Sequence, residues 1–162
     1  MQRLWAPWRM EYILNDEKND ECFFCRIFSA KEDRNNHVVF RNDKSFAVMN
    51  KYPYNNGHLL VAPSRHIATL EELPEEDLLD MMMSVQQCIV LLRKTIMPHG
   101  FNVGVNTGLV AGAGVPDHVH FHIVPRWDGD SNYMPVIANT KIIPQALDSL
   151  YDDLINGADI KK

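Results

Sequence analysis

The segment that most constrains this chain is Asp117-His118-Val119-His120-Phe121-His122-Ile123-Val124-Pro125. Histidine and apolar residues alternate with the two-residue period of a β-strand. A strand over residues 118–124 puts His118, His120 and His122 on one face, next neighbours roughly 7 Å apart. Val119, Phe121 and Ile123 fall on the other face and read as core. Any fold for this chain has to bury one side of that strand and gather three imidazoles on the other.

The surrounding pattern supplies partners. Residues 23–30 read as a short helix. Val38–Arg41 and Ser45–Met49 flank the turn dipeptide Asn42-Asp43 and read as a hairpin. Residues 58–62 form a further strand stopped by Pro63. A long helix follows Pro74, which suits a first-turn position. Glu75, Glu76 and Asp77 place negative charge at its positive end. Leu78, Met82, Val85, Ile89 and Leu92 recur at steps of three and four and predict its buried stripe. Residues 101–106 alternate as a strand, and 107–117 form a loop carrying Gly108, Gly112 and Gly114. A last helix covers 144–155, with Leu147, Leu150, Tyr151 and Leu154 on one side. Cys88 and the Met81-Met82-Met83 run read as helix packing. Residues 1–14, rich in tryptophan, form an aromatic arm. Strands around one long helix, without strand–helix alternation, predict an α+β fold with an antiparallel sheet.

Composition narrows the function. The 162 residues fit one domain at about 150 residues each, and that length needs no disulfides to fold. Sixteen Lys and Arg face twenty-one Asp and Glu, a net charge of −5, so a basic nucleic-acid surface is not expected. No apolar run approaches the ~20 residues of a membrane span, and the N-terminus lacks the apolar stretch of a signal peptide. Three cysteines, two of them in Cys22-Phe23-Phe24-Cys25, make no disulfide framework, and the expected compartment is a reducing cytoplasm.

Imidazoles titrate near neutral pH, and three close ones titrate as a coupled group with only some protonated. That suits phosphoryl or nucleotidyl transfer, in which a neutral imidazole attacks phosphorus while its neighbours hydrogen-bond oxygens that gain charge. Backbone N–H groups of the glycine loop are placed to approach phosphate. Spacing alone leaves metal binding and metal-free catalysis equally open. Cys22 and Cys25 have the spacing of a zinc ligand pair; a redox pair and plain buried cysteines are the competing readings.

His118-Val119-His120-Phe121-His122-Ile123-Val124 resembles the signature of the histidine triad superfamily. The run Asn50–Val61, the Pro63-Ser64-Arg65-His66 that follows, Pro125-Arg126-Trp127 with Gly129–Pro135, and Trp5-Ala6-Pro7-Trp8-Arg9 are similar to its diadenosine tetraphosphate phosphorylase-like branch. The match covers about residues 4–137. The resemblance implies that His120 is the nucleophile, forming a nucleotidyl-histidine intermediate, and that His122 and His58 assist it. It implies that Asn106 contacts the nucleotide, that Asn50 holds the ribose hydroxyls where many relatives carry an acid, and that Gly112 and Gly114 offer backbone to phosphate. It assigns Phe24 and Ile27 to a base pocket, against which core packing stands with equal weight. It also implies a closed structural zinc site of Cys22, Cys25, His66 and His118. The loop run Gly112-Ala113-Gly114-Val115-Pro116 lacks the hydroxyl that many members of the branch carry there, which leaves phosphate or water open as acceptor.

The expected protein is therefore one histidine-triad domain over residues 1–162, with the aromatic arm and a C-terminal extension. It is an enzyme acting on diadenosine polyphosphates or related adenosine nucleotides, phosphorylase-type favoured. A nucleoside phosphoramidase, a general nucleotide hydrolase and a non-catalytic nucleotide sensor are the alternatives. The expected partners are a small nucleotide substrate and a second copy of the chain, with no organic cofactor, nucleic acid or membrane.

Overall fold

The computed structural model describes residues 21–130 and 143–158. The aromatic arm, the run from Ser131 to Pro135 and the last residues of the C-terminal extension lie outside the described residues. In chain order the elements are α1 (Phe23–Ala30), β1 (Val38–Arg41), β2 (Ser45–Met49), β3 (Leu59–Pro63), α2 (Glu75–Ile96), β4 (Gly100–Val105), β5 (Phe121–Arg126) and α3 (Leu147–Ala158). Single 3-10 turns occupy Leu70–Glu72 and Leu109–Ala111. The five strands form one antiparallel sheet in the order β1-β2-β3-β5-β4, as the α+β pattern predicted. No described helix is long and apolar enough to cross a membrane.

β2 and β3 are buried along their whole length, and the two-residue period divides the side chains of the central strands cleanly. Ala47, Met49, Leu59, Val61 and Ile123 point to the layer made by α2 and α3, where they meet Met81, Val85, Leu92, Leu150 and Leu154. Phe46, Val48, Leu60 and Ala62 point the other way and pack under Phe24 and Ile27 of α1. Even-numbered residues of β3 and β5 thus share the α1 side. His58, immediately before β3, and His122 in β5 belong to that set.

The last helix covers Leu147–Ala158, shifted from the predicted 144–155, and two further differences bear on the site. The strand expected over 118–124 is regular only from Phe121, and it runs through Pro125 to Arg126. Pro63 has no N–H to extend the ladder, and Val119 N–H instead bonds the Ile67 carbonyl at 2.7 Å. His118 and His120 are therefore held by individual contacts beyond the strand end. The stripe on α2 is also rotated. The helix buries Asp77, Met81, Ser84, Val85, Cys88, Leu91 and Leu92, whereas Leu78 and Met82 are 38% and 41% exposed. The rotation follows from polar residues that find partners. Ser84 Oγ lies 2.7 Å from Ser45 Oγ and accepts from Asn42 Nδ2 at 2.7 Å. Asp77 accepts from Arg65 Nε at 3.0 Å and also pairs with Lys44 at 3.5 Å. Buried polar groups with such partners cost little, so hydrophobicity alone placed the seam one residue off. Pro74 caps the helix and Glu75 begins it.

The connection between β2 and β3 positions His58. Asn55 Nδ2 ties it to the end of β5, donating to the Pro125 carbonyl at 3.0 Å and to Asp130 Oδ2 at 2.8 Å. Gly57 has φ +74°, and a Cβ there would lie 2.6 Å from Ile96 Cδ1 and 3.1 Å from Leu92 Cδ2. Gly57→Ala is expected to cost about 2 kcal/mol or more, combining left-handed strain with overpacking. A urea midpoint equal to that of the wild type would contradict this.

Candidate active site and metal centre

On the α1 side of the sheet, antiparallel pairing sets Leu60 opposite His122 and Leu59 opposite Ile123. His58, two residues before Leu60 on the same face, reaches His122: its Nε2 lies 3.0 Å from His122 Nδ1. The rings of His120 and His122 are 4.9 Å apart at their centroids. The sheet and the segment leading into β5 thus gather His58, His120 and His122.

Backbone groups fix where the ring protons sit. His58 Nδ1 accepts the Tyr54 N–H at 3.1 Å, so its own proton is on Nε2 and is donated to His122 Nδ1. His122 then carries its proton on Nε2. That nitrogen is buried and has no hydrogen-bond partner among the described residues. His120 Nδ1 donates to the His118 carbonyl at 2.8 Å, which leaves the lone pair of His120 on Nε2. His118 Nε2 donates to the Pro63 carbonyl at 2.9 Å, which leaves its lone pair on Nδ1. One ring therefore offers a nucleophilic nitrogen beside another that offers an unused N–H.

Burial keeps these rings neutral. Loss of solvent pushes His58 down from 6.5 to about 3, with His122 and His120 adding to the shift. Burial likewise lowers His122 to about 4 and lowers His120. The coupled, partly protonated group expected from spacing is displaced further than anticipated, to neutral rings near pH 7.

The cysteine pair forms a second cluster beside the first. Cys22 Sγ is 3.3 Å from His118 Nδ1, Cys25 Sγ is 3.3 Å from His66 Nδ1 and 3.7 Å from His118 Nδ1, and all four ligand atoms lie within 4.8 Å of one another. A tetrahedral zinc with Zn–S about 2.3 Å and Zn–N about 2.0–2.1 Å sets sulfur and nitrogen donors roughly 3.6 Å apart. The observed separations, the Cys₂His₂ composition and the lone pair that Pro63 directs to His118 Nδ1 all fit that ion. Burial, with Cys22 beside it, pushes the Cys25 thiol up to about 11.

The other expected site residues divide. Phe24 is fully buried, its ring 5.1 Å from that of His118 and 4.8 Å from that of His120; Ile27 packs in the same cluster. Asn50 is turned inward, its Nδ2 3.2 Å from His58 Nδ1. Gly112 takes the left-handed conformation (φ +89°), and Asn106 Nδ2 lies 3.9 Å from where its Cβ would be. The N–H groups of Ala111, Gly112 and Ala113 bond carbonyls of Gly108 and Leu109, so these three close the turn on itself. Gly114 is exposed on the same loop. Two contributors were not singled out from sequence. One is the Pro63 carbonyl. The other is Tyr54, whose ring lies 4.7 Å from that of His58 and is stacked 5.7 Å from that of His122 at 12°. An aromatic residue four positions before His58 was the available signal.

The neutral rings have a measurable consequence. Below pH 6.5 an unfolded histidine binds a proton that folded His58 refuses until about pH 3. The unfolded state binds more protons in that window, so stability is lost as pH falls. From pH 6.5 to 5 the loss from His58 alone is about 2 kcal/mol. Urea titrations at pH 7 and pH 5 should show a smaller fall for His58→Gln than for the wild type; equal falls would contradict the neutral ring.

Residues 31–129 match the family model described as HIT domain. The chain is 39% identical over 154 residues to a protein from Mycobacterium tuberculosis named AP-4-A phosphorylase, spanning 91% of this chain and 79% of that protein. It is 36% identical over 105 residues to an adenosine 5'-monophosphoramidase from Schizosaccharomyces pombe, spanning 65% of this chain and 74% of that one. Among solved structures, a zinc-bound histidine triad family protein from Mycobacterium smegmatis superposes with a TM-score of 0.70 at 23% identity, covering 87% of this chain and 96% of that chain; this likeness concerns the fold. The two-residue alternation, the sheet that gathers its histidines and a model match over most of the described core lead to one conclusion: the chain belongs to the HIT domain family.

Proposed function

We propose that the protein is a nucleotidyl transferase acting on diadenosine polyphosphates, with phosphate as the favoured acceptor. The observation that carries this reading is the placement of the His120 Nε2 lone pair beside the buried, unused Nε2–H of His122. The relative named AP-4-A phosphorylase, similar over 91% of this chain, supports the choice of substrate and acceptor.

His120 Nε2 attacks the α-phosphorus of diadenosine tetraphosphate. The P–N bond forms as the bond to the bridging oxygen breaks, and ATP departs. Attack makes the His120 ring cationic, and its Nδ1–H already faces the His118 carbonyl at 2.8 Å, which stabilises that charge. His122 Nε2–H meets a phosphate oxygen as charge develops there. His58 supports His122 from behind, and an anion in the site raises the affinity of both rings for protons. Phosphate then attacks the adenylyl-histidine, the P–N electrons return to His120, and ADP leaves. Asn106 contacts the nucleotide beside the turn at Gly112, with Gly114 on the rim. Water in place of phosphate would yield AMP. The phosphoramidase reading uses the same nucleophile on a P–N substrate, and the relative named adenosine 5'-monophosphoramidase supports it as the second choice.

Cys22, Cys25, His66 and His118 hold a structural zinc. A closed four-ligand site contributes folding energy rather than an open coordination position. It secures α1 against the segment that carries His118, two residues from the nucleophile. The whole chain forms one such domain, is cytoplasmic, and pairs as a homodimer. The exposed Leu79, Met83 and Val90 on α2 and the edge strand β4 offer surface for a second copy.

Incubation with diadenosine tetraphosphate and phosphate should release ADP and ATP. AMP and ATP without phosphate would indicate a hydrolase, and no turnover would overturn the reading. His120→Asn should lose at least about 10³-fold in kcat while keeping its far-ultraviolet circular dichroism; wild-type rates would refute the role. Protein purified without chelator should carry about one zinc per chain, and less than about a tenth of an equivalent would rule the site out.

A further inference from the structure

The amide of Asn50 has only one orientation open to it. Its Oδ1 accepts the Tyr52 N–H at 2.9 Å, so its Nδ2 is the atom that faces His58 Nδ1 at 3.2 Å. The Tyr54 N–H reaches the same Nδ1 at 3.1 Å. A ring nitrogen facing two N–H donors must carry a lone pair. The consequence passes along two rings. His58 keeps its proton on Nε2 and gives that hydrogen bond to His122 Nδ1, 3.0 Å away. His122 keeps its own proton on Nε2, the buried atom with no partner among the described residues. The Tyr54 ring covers both imidazoles and fixes their planes. The alternative pair of tautomers sets a His58 Nδ1–H against two donors, reverses the His58–His122 bond and turns a lone pair of His122 toward the site, where it would repel an anionic phosphate.

We propose that Asn50 is a positioning residue that, with the Tyr54 N–H, holds the Nε2–H tautomer of His58 and, through it, of His122, so that His122 presents an N–H to the reacting phosphate. For its catalytic consequence this rests on the transferase reading above. It is a role additional to the ribose contact expected from the family resemblance. An amide can do this and a carboxylate cannot, because a carboxylate has no hydrogen to give to Nδ1. Asn50→Asp places an acceptor against that lone pair, and the strain is relieved by moving a proton onto His58 Nδ1. A residue that only held ribose hydroxyls would behave in the opposite way, since a charged acceptor makes the stronger bond to a hydroxyl.

The test combines spectra with kinetics. Protein labelled with 15N in histidine, at pH 8 without substrate, reports which nitrogen of each ring is protonated. In the wild type, His58 and His122 should both be Nε2–H tautomers. Asn50→Asp should show a protonated His58 Nδ1, with kcat for diadenosine tetraphosphate plus phosphate lowered about 100-fold and KM changed less than about threefold. Asn50→Ala leaves the Tyr54 N–H as the single donor to Nδ1 and should populate some His58 Nδ1–H, with a smaller loss of kcat than Asn50→Asp; tautomers identical to the wild type would assign the selection to Tyr54 alone and overturn the role of Asn50. Wild-type spectra with protonated Nδ1 would overturn the proposal whatever the variants do. It would also fall if Asn50→Asp kept both Nε2–H tautomers, or raised KM while leaving kcat intact. Absence of turnover in the wild type would count against the transferase reading, and the spectra would still decide the role of Asn50.

Discussion

The two hydrogen bonds made by His118 are the constraint on which the rest of the site depends. Its Nε2–H is given to the Pro63 carbonyl, and its own carbonyl receives the Nδ1–H of His120. The first bond exists because Pro63 ends β3 and leaves a carbonyl with no strand beyond it. It forces the lone pair of His118 toward Cys22 and Cys25. The second forces the lone pair of His120 onto Nε2. One residue thus joins the end of a central strand, a cluster of metal-ligand type and the candidate nucleophile. Both bonds are to main chain, so the tautomers are fixed by the fold and not by mobile side chains.

The sheet delivers its histidines by the same economy. β3 is buried throughout and pairs antiparallel with β5 inside the sheet, so a one-residue slip would move His58 and His122 into the layer under α2. Burial that pins the register also removes water from the rings and keeps them neutral. Stability and the proposed reactivity are therefore set together: the desolvation that costs the fold its acid tolerance keeps the His120 ring neutral, as the proposed attack requires.

Most of this was legible in the residues because it rests on short periods. The two-residue alternation around His120 exposed the site, and the Asn42-Asp43 turn exposed the hairpin. The coincidence of Cys22, Cys25, His66 and His118 followed from the family resemblance, and the fold brings those four together. What was not legible depends on tertiary partners. No pattern reveals that Asp77 and Ser84 are buried, because their cost is cancelled by Arg65, Lys44, Ser45 and Asn42. The strand end at Phe121 is set by the end of β3, not by local preference. The glycines of the loop 107–117 suggest a phosphate cradle, and no sequence pattern reveals that the amides of Ala111, Gly112 and Ala113 bond within the turn. The inward turn of Asn50 is a matter of hydrogen-bond direction, which composition cannot carry.

The central claim is that His120 becomes covalently attached to the nucleotide. Mass spectrometry of protein quenched at alkaline pH within one turnover on diadenosine tetraphosphate, with phosphate omitted, tests it directly. The expected result is one adenylyl group, localised by peptide mapping to His120 and absent from His120→Asn. An adenylyl group on another residue, or none during active turnover, would contradict it.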